Sequence, residues 1–256
     1  MGFKAPARIA LAASVGYGIV YLHNLTYPCR NMDFTWQATP GHSKSFSSRI
    51  LNPRDGPVDE ESYSLRIPTR ELPAGITDEE LLARFTKGAF GGWIFTPERW
   101  IAPLIQRCID AELISAIKTS SSDPSTPPIW KLDSLSRDIL PPLGSTLFGL
   151  LTLFDTSTCT EDHRISVFPD SIHIPRPNFA FAEYAGRTKS QGLAASHRFE
   201  VTREYKDGED RVRLTFSHIR SNPRTGGKSL PSWFVWFHVL YSGLLFADGI
   251  KEIMYT

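Results

Sequence analysis

The stretch ASHRFEVTREY at residues 195–205, the turn KDGE at 206–209 and the answering run RVRLTFSHI at 211–219 decide the fold. Strand side chains alternate, so His197, Phe199 and Val201 share one face of the first run, and Val212, Leu214, Phe216 and His218 share one face of the second. The compact turn between them predicts an antiparallel hairpin. Each inward face then carries a histidine. Downstream, SWFVWFHVLYSGLLF at 232–246 predicts an aromatic helix. Its stripe of Trp233, Trp236, Phe237, Leu240, Tyr241, Leu244 and Leu245 exceeds what one helix face can hold, so the helix packs into a core, lines a cavity or meets a partner. A sheet closed by such a helix can enclose an apolar ligand, with the histidines as polar tips inside it.

Outward from that stretch, 256 residues with 41% apolar and 12% aromatic side chains suit one large domain with a sizeable core. We divide the chain into an apolar helix and extended arm over residues 1–60 and a single ligand-binding domain over 61–256. The formal charge is +1, from 28 basic and 27 acidic residues mixed along the sequence. No Lys/Arg run supplies the concentrated basic surface that nucleic-acid binding needs, so nucleic acid is not an expected partner. Cys29, Cys108 and Cys159 are far apart and odd in number, which fits reduced thiols rather than a disulfide framework or a structural zinc site. Near the N-terminus, Lys4 and Arg8 precede an apolar run at 9–22 that is shorter than the ~20 residues of a membrane-spanning helix. It reads as a helix packed on the domain or lying on a membrane surface, with an anchor or a cleaved signal as alternatives. The expected location is cytoplasmic, with association to the endoplasmic-reticulum membrane through 9–22 as a variant.

The remaining segments supply the other elements. Residues 33–61 read as an extended arm with one short strand near 45–50, and SYSLRIP at 62–68 as the first core strand. Thr77 and Glu80 form a capping box that opens a helix to about Phe90. Gly91 and Gly92 interrupt it, and Thr96-Pro97 starts a second helix through Leu113 with Pro103 inside. Residues 118–128 are a loop by composition. The run GSTLFGLLTLFD at 144–155 fits one or two buried strands, with a buried helix equally consistent with its periodicity, and 164–168 and 178–184 add further strands. The order predicts an α+β fold in which a curved antiparallel sheet wraps a long C-terminal helix.

That order resembles the START-like, or helix-grip, fold, whose sheet and terminal helix hold an apolar ligand between them. FAEYAGRTKSQGLAASHRFEV at 181–201, with the strand end at 217–222 and the terminal helix, is similar to an uncharacterised plant and bacterial family of that proposed architecture. FTKGAFGGWIFTPERW at 85–100 and LFADGIKEIM at 245–254 resemble small fungal proteins encoded beside natural-product pathways. Some of those are cofactor-free cyclases, including the norbornene-forming Diels-Alderase type of the sordarin pathway. The resemblance implies a cofactor-free cyclase or isomerase of secondary metabolism acting on an apolar terpenoid or polyketide intermediate.

On this reading His218, His197 and Tyr184 are the candidate catalytic residues, as donors to a conjugated carbonyl or as acid and base. Phe90, Trp93, Phe181, Phe199, Phe216, Trp233, Phe237 and Tyr241 are the candidate walls of the substrate pocket, with Phe90 and Trp93 on a flap hinged at Gly91-Gly92. For each histidine the competing reading is a satisfied core residue, and His238 could face either the sheet or solvent. Glu183 is expected on the exposed outer face and Asp248 as a cap. No metal is expected, because the two inward histidines lack a third ligand at motif spacing, and no nucleotide, serine-nucleophile or redox motif is present. The alternatives to a cyclase are a non-catalytic lipid or terpenoid carrier and a membrane-associated scaffold.

Overall fold

The two histidine runs do pair as a hairpin, β7 (Ala194–Lys206) with β8 (Glu209–Ser221), and the register sets His197 opposite His218. Asp207 and Gly208 turn the chain with positive φ, a conformation cheap for glycine and tolerated by aspartate. The computed structural model describes residues 16–108, 128–158, 164–166, 178–187 and 192–255. Around the hairpin lie β1 (Asp33–Thr35), β2 (Asp59–Pro68), β3 (Thr146–Leu147), β4 (Leu151–Ser157), β5 (Arg164–Ser166) and β6 (Phe179–Arg187). They form one curved sheet in the order β1-β2-β8-β7-β6-β4-β3, with β5 on β4 and every strand pairing antiparallel. The first long strand therefore closes against the last.

Among the described residues six α-helices accompany the sheet: α1 over 16–26, α2 (Pro40–Ser43), α3 (Phe46–Leu51), α4 (Asp78–Gly91), α5 (Thr96–Cys108) and α6 (Ser232–Tyr255). The α+β helix-grip arrangement expected from the sequence is what the chain adopts. The capping box is present, with Thr77 accepting from the Glu80 amide and Glu80 from the Thr77 amide. The stretch near 45–50 is a correction. It is the helix α3, because Ser45 has extended backbone and caps the Ser48 amide, ending any strand before it starts. The run 144–155 does form two strands, as expected, joined by a turn in which Phe148 and Gly149 have positive φ. Residues 109–113, 118–127 and 167–168, together with His163, His173 and Cys159, lie outside the described residues.

The inner face of the sheet packs on α4 and α6. Cross-strand register builds it in rungs. One rung reads Ala182, Phe199, Phe216, Tyr63 across β6, β7, β8 and β2, and the next Ala180, Val201, Leu214, Leu65. Phe85 and Phe90 from α4 meet Phe199 with ring centroids at 4.6 and 5.5 Å, and Phe246 from α6 meets Phe85 at 5.5 Å. Each fully buried phenylalanine contributes about 2–3 kcal/mol of burial. This aromatic cluster fills the space between sheet and helices along the C-terminal half of α6. Glycines let the two helices approach: a Cβ on Gly88 would run into the α6 backbone at Asp248 and Gly249, and one on Gly249 into the Phe85 ring. Asp248, expected as a cap, is instead mostly buried and clamps three elements. Its carboxylate accepts from the Ile94 amide between α4 and α5 and from the Tyr21 hydroxyl of α1.

The outer face is covered as well, by α2 and α3 of the arm. His42 is fully buried there, with Nδ1 2.9 Å from Ser217 Oγ and Nε2 2.8 Å from Ser196 Oγ. Glu183 is not exposed as expected but completely buried, accepting from Ser45 Oγ at 2.9 Å and Arg198 Nη1 at 3.0 Å. The register makes it so, since Glu183 pairs with Arg198 on the side the arm covers. Burial pushes its carboxyl up to about 7, against the lowering influence of Arg198. Arg198 also stacks its guanidinium 3.6 Å over the Phe181 ring. Phe181, expected in the substrate pocket, thus belongs to the opposite face from the inward histidines, because its strand neighbours alternate away from Tyr184 and Ala182.

Candidate functional site

The same register that stacks the core rungs produces one polar rung. Tyr184 on β6 lies opposite His197 on β7, His197 opposite His218 on β8, and His218 opposite Glu61 on β2. The three candidate catalytic residues therefore share one line across the sheet, ending in a buried carboxylate. From above, α6 places Val235, His238, Val239 and Ser242 on the side turned to the sheet, at helical spacing. His238 lands on His218. The rings of His197 and His218 stack with centroids 4.2 Å apart and 14° between planes, and those of His218 and His238 at 4.5 Å and 14°. Three imidazoles form one column.

Glu61 holds that column. Its Oε1 lies 3.1 Å from His218 Nδ1, 3.0 Å from His238 Nδ1 and 3.4 Å from Ser242 Oγ, and its Oε2 accepts from Arg220 Nη2 at 2.8 Å. A carboxylate oxygen only accepts, so both imidazoles present Nδ1–H to it and keep Nε2 as a lone pair. Burial holds His218 well below the ordinary imidazole pKa, assisted by the neighbouring His238 and Arg220. Burial lowers His238 too, against the raising effect of its bond to Glu61, and lowers His197 well below 6.5. The column is neutral at pH 7. His218 is 1% exposed and its Nε2 finds no hydrogen-bond partner among the described residues, nor does His197 Nδ1. His197 and His238, the two ends of the column, are half-buried rather than sealed.

Neutral Nδ1–H imidazoles change the chemistry expected from the sequence. His218 Nε2 carries no proton to donate to a carbonyl; it is an acceptor, and so a base. Tyr184 shares the rung, but its buried hydroxyl is 3.1 Å from Thr86 Oγ1, and burial raises its pKa. It braces α4 against the sheet instead of reaching a ligand.

Phe90 and Phe216 do border the column, 5.8 and 5.7 Å from the His197 ring, and Phe199 lies behind them, 5.5 and 5.1 Å from the Phe90 and Phe216 rings. Tyr241 is half-buried, 6.3 Å from His238, and burial raises its phenol pKa. Trp233 and Phe237 point to solvent on the far side of α6, so they are not walls. Trp93 is exposed and lines a separate hollow of about 310 Å³ with Tyr21, Asp248 and Tyr255, which no histidine borders. A hollow of about 260 Å³ bounded by Trp36, Val58, Asp59, Glu60, Val235 and the Glu61–Arg220 pair adjoins the column.

The trio Glu61, His218 and His238 brings its ligand atoms close enough to suggest a metal centre. Glu61 is the third ligand that sequence spacing did not offer; the nearly parallel His218 and His238 rings both turn Nδ1 to its Oε1, at 3.1 and 3.0 Å. The arrangement suits shared hydrogen bonding to one carboxylate. Sequence reasoning missed Glu61, Arg220 and Ser242, and left the orientation of His238 open. The signal for Glu61 is its position two residues before Tyr63, in phase with the inward face of a strand that begins at Asp59, three residues ahead of the start expected at Ser62. The fold and site together define a helix-grip protein with a carboxylate-anchored histidine column. No family model, curated protein or solved structure matches the chain.

Proposed function

We propose that the chain is a cofactor-independent cyclase or isomerase acting on an apolar terpenoid- or polyketide-type molecule. The observation that carries this reading is Glu61 fixing two neutral imidazoles through their Nδ1–H groups, with the outer edge of one, His238, still accessible. A carboxylate that orients an imidazole also stabilises the imidazolium formed when that ring takes a proton. His238 Nε2 takes a proton from an enolisable C–H or a hydroxyl of the substrate, and the anion so formed rearranges or adds to a conjugated acceptor. The same proton then returns to a different atom. Nothing is gained or lost, so the product is an isomer. Glu61 is the positioning residue, while half-buried Tyr241 beside His238 favours an apolar substrate over water.

The test is to incubate the purified protein with an extract of its source organism and to follow, by chromatography and mass spectrometry, any compound converted to a species of unchanged mass. His238→Phe keeps the ring stack and removes the base, and it should abolish conversion while leaving retention of the compound. The acidic limb of the pH profile should lie below 6.5, as the lowered His238 requires. A His238→Phe protein that converts as fast as the parent refutes the mechanism, and retention without conversion by the parent makes the protein a carrier.

A further inference from the structure

All six tryptophans of this chain are exposed. Tryptophan is among the more buried residue types on average, so a surface holding every one of them calls for a partner. Three of them belong to one continuous patch. Phe34 on the edge strand β1 touches Trp36 at 5.0 Å between centroids, and Trp36 touches Trp236 of α6 at 5.3 Å. Along α6 the exposed stripe continues through Trp233, Phe237 and Leu240, at 72%, 58% and 66% exposure, the i, i+3, i+4, i+7 spacing opposite His238 and Ser242.

We propose that this patch is the surface by which the protein lies on an anionic lipid bilayer. Two observations select that occupant. The first is charge: from Arg211 to Ala247 the chain has five basic residues and no acidic one. Of the five, Arg224 and Lys228 are exposed, in the loop that enters α6 beside Trp233. Of the acidic residues near that loop, Asp59 is half-buried and bonded to the Ser229 hydroxyl, while Asp55 follows Arg54, whose side chain packs on Gly226. Anionic headgroups complement these two exposed cations.

The second observation is the division of α6. The helix is long and apolar enough to cross a membrane by composition, yet Leu245, Phe246, Ile250 and Ile253 of its C-terminal half are buried in the protein core. Only the N-terminal half is free, uncharged from Ser232 to Ala247, which suits a helix lying in the interface with tryptophan at the headgroup level. This places a membrane contact on β1 and α6, in addition to the one expected of the apolar run at 9–22. It does not depend on the proposed reaction.

The experiment is sedimentation of the full chain with vesicles of phosphatidylcholine, with and without phosphatidylserine. The parent should pellet with the mixed vesicles and shift its tryptophan emission to the blue. Trp233→Ala/Trp236→Ala/Phe237→Ala, all at exposed positions, should lose partitioning at least ten-fold. Arg224→Glu/Lys228→Glu should lose at least thirty-fold, on phosphatidylserine vesicles only, from about the usual contribution of two basic residues at an anionic surface. A parent that stays in solution with both vesicles overturns the proposal, as does a triple variant that partitions like the parent. If the parent is a dimer by sedimentation equilibrium and the triple variant a monomer, the patch joins two copies and the lipid assignment fails.

Discussion

Replacing Glu61 by glutamine should be among the most damaging isosteric changes available to this protein. Four donors converge on that carboxylate, and its partners Arg220 and His218 are 2% and 1% exposed. A glutamine has one acceptor oxygen. If that oxygen faces the imidazoles, its amide N–H₂ confronts the Arg220 guanidinium; if it is turned round, N–H₂ confronts the two Nδ1–H groups. In both orientations a buried cation loses its counter-charge, which costs about 3–5 kcal/mol in comparable buried pairs. Since a domain of this kind is stable by about 5–15 kcal/mol, the midpoint of thermal unfolding should fall by roughly 10 °C. Urea unfolding followed by circular dichroism measures the cost. The decisive comparison is Glu61→Leu, Arg220→Met and the pair together. Removing both charges should recover at least about 2 kcal/mol relative to the sum of the single changes. A coupling below about 0.5 kcal/mol would mean the two groups are solvated and independent, and the anchored column would lose its basis.

Two further outcomes follow from other parts of the fold. Glu183 has its carboxyl raised from an ordinary 4.5 to about 7, so its protonated form favours folding: that contribution is complete below pH 4.5 and is lost as pH rises through 7. Glu183→Gln should therefore gain on the parent across that window, by up to about 3 kcal/mol, whereas a constant difference from pH 4 to 8 would place the carboxyl in solvent. Gly249→Ala should destabilise by about 3 kcal/mol because its new methyl meets the Phe85 ring, while Gly243→Ala, whose methyl would stand 3.3 Å from the Tyr63 ring, should change stability by less than about 1 kcal/mol; equal effects in thermal melts would refute the close α4–α6 crossing.

Much of this was legible in the sequence, for local reasons. Period-two alternation on either side of a two-residue turn fixed which faces of β7 and β8 carry His197 and His218, and the capping box fixed the start of α4. What stayed hidden was non-local. Glu61 and His218 are 157 positions apart, and nothing in either segment announces that the first strand pairs with the last. The aromatic helix is apolar on every side of its first half, so pattern alone could not turn His238 toward the sheet or Trp233 and Phe237 away from it. Glu183 followed the correct face, but the arm that buries that face reads as a polar, proline-rich connector. Its small helix α3 is held by a serine cap and by contacts to β7 that only the folded chain provides.

The seam between β2 and β8 sets an order of events in synthesis. When Glu61 leaves the ribosome, its strand has no neighbour on the β8 side until some 150 residues later, and the histidines that will meet it have yet to be made. Such long-range closure is slow, and an unpaired strand edge invites association in the meantime. No shorter fragment ending before residue 218 can contain the column at all. The column therefore cannot form in a truncated copy that lacks β8 or α6.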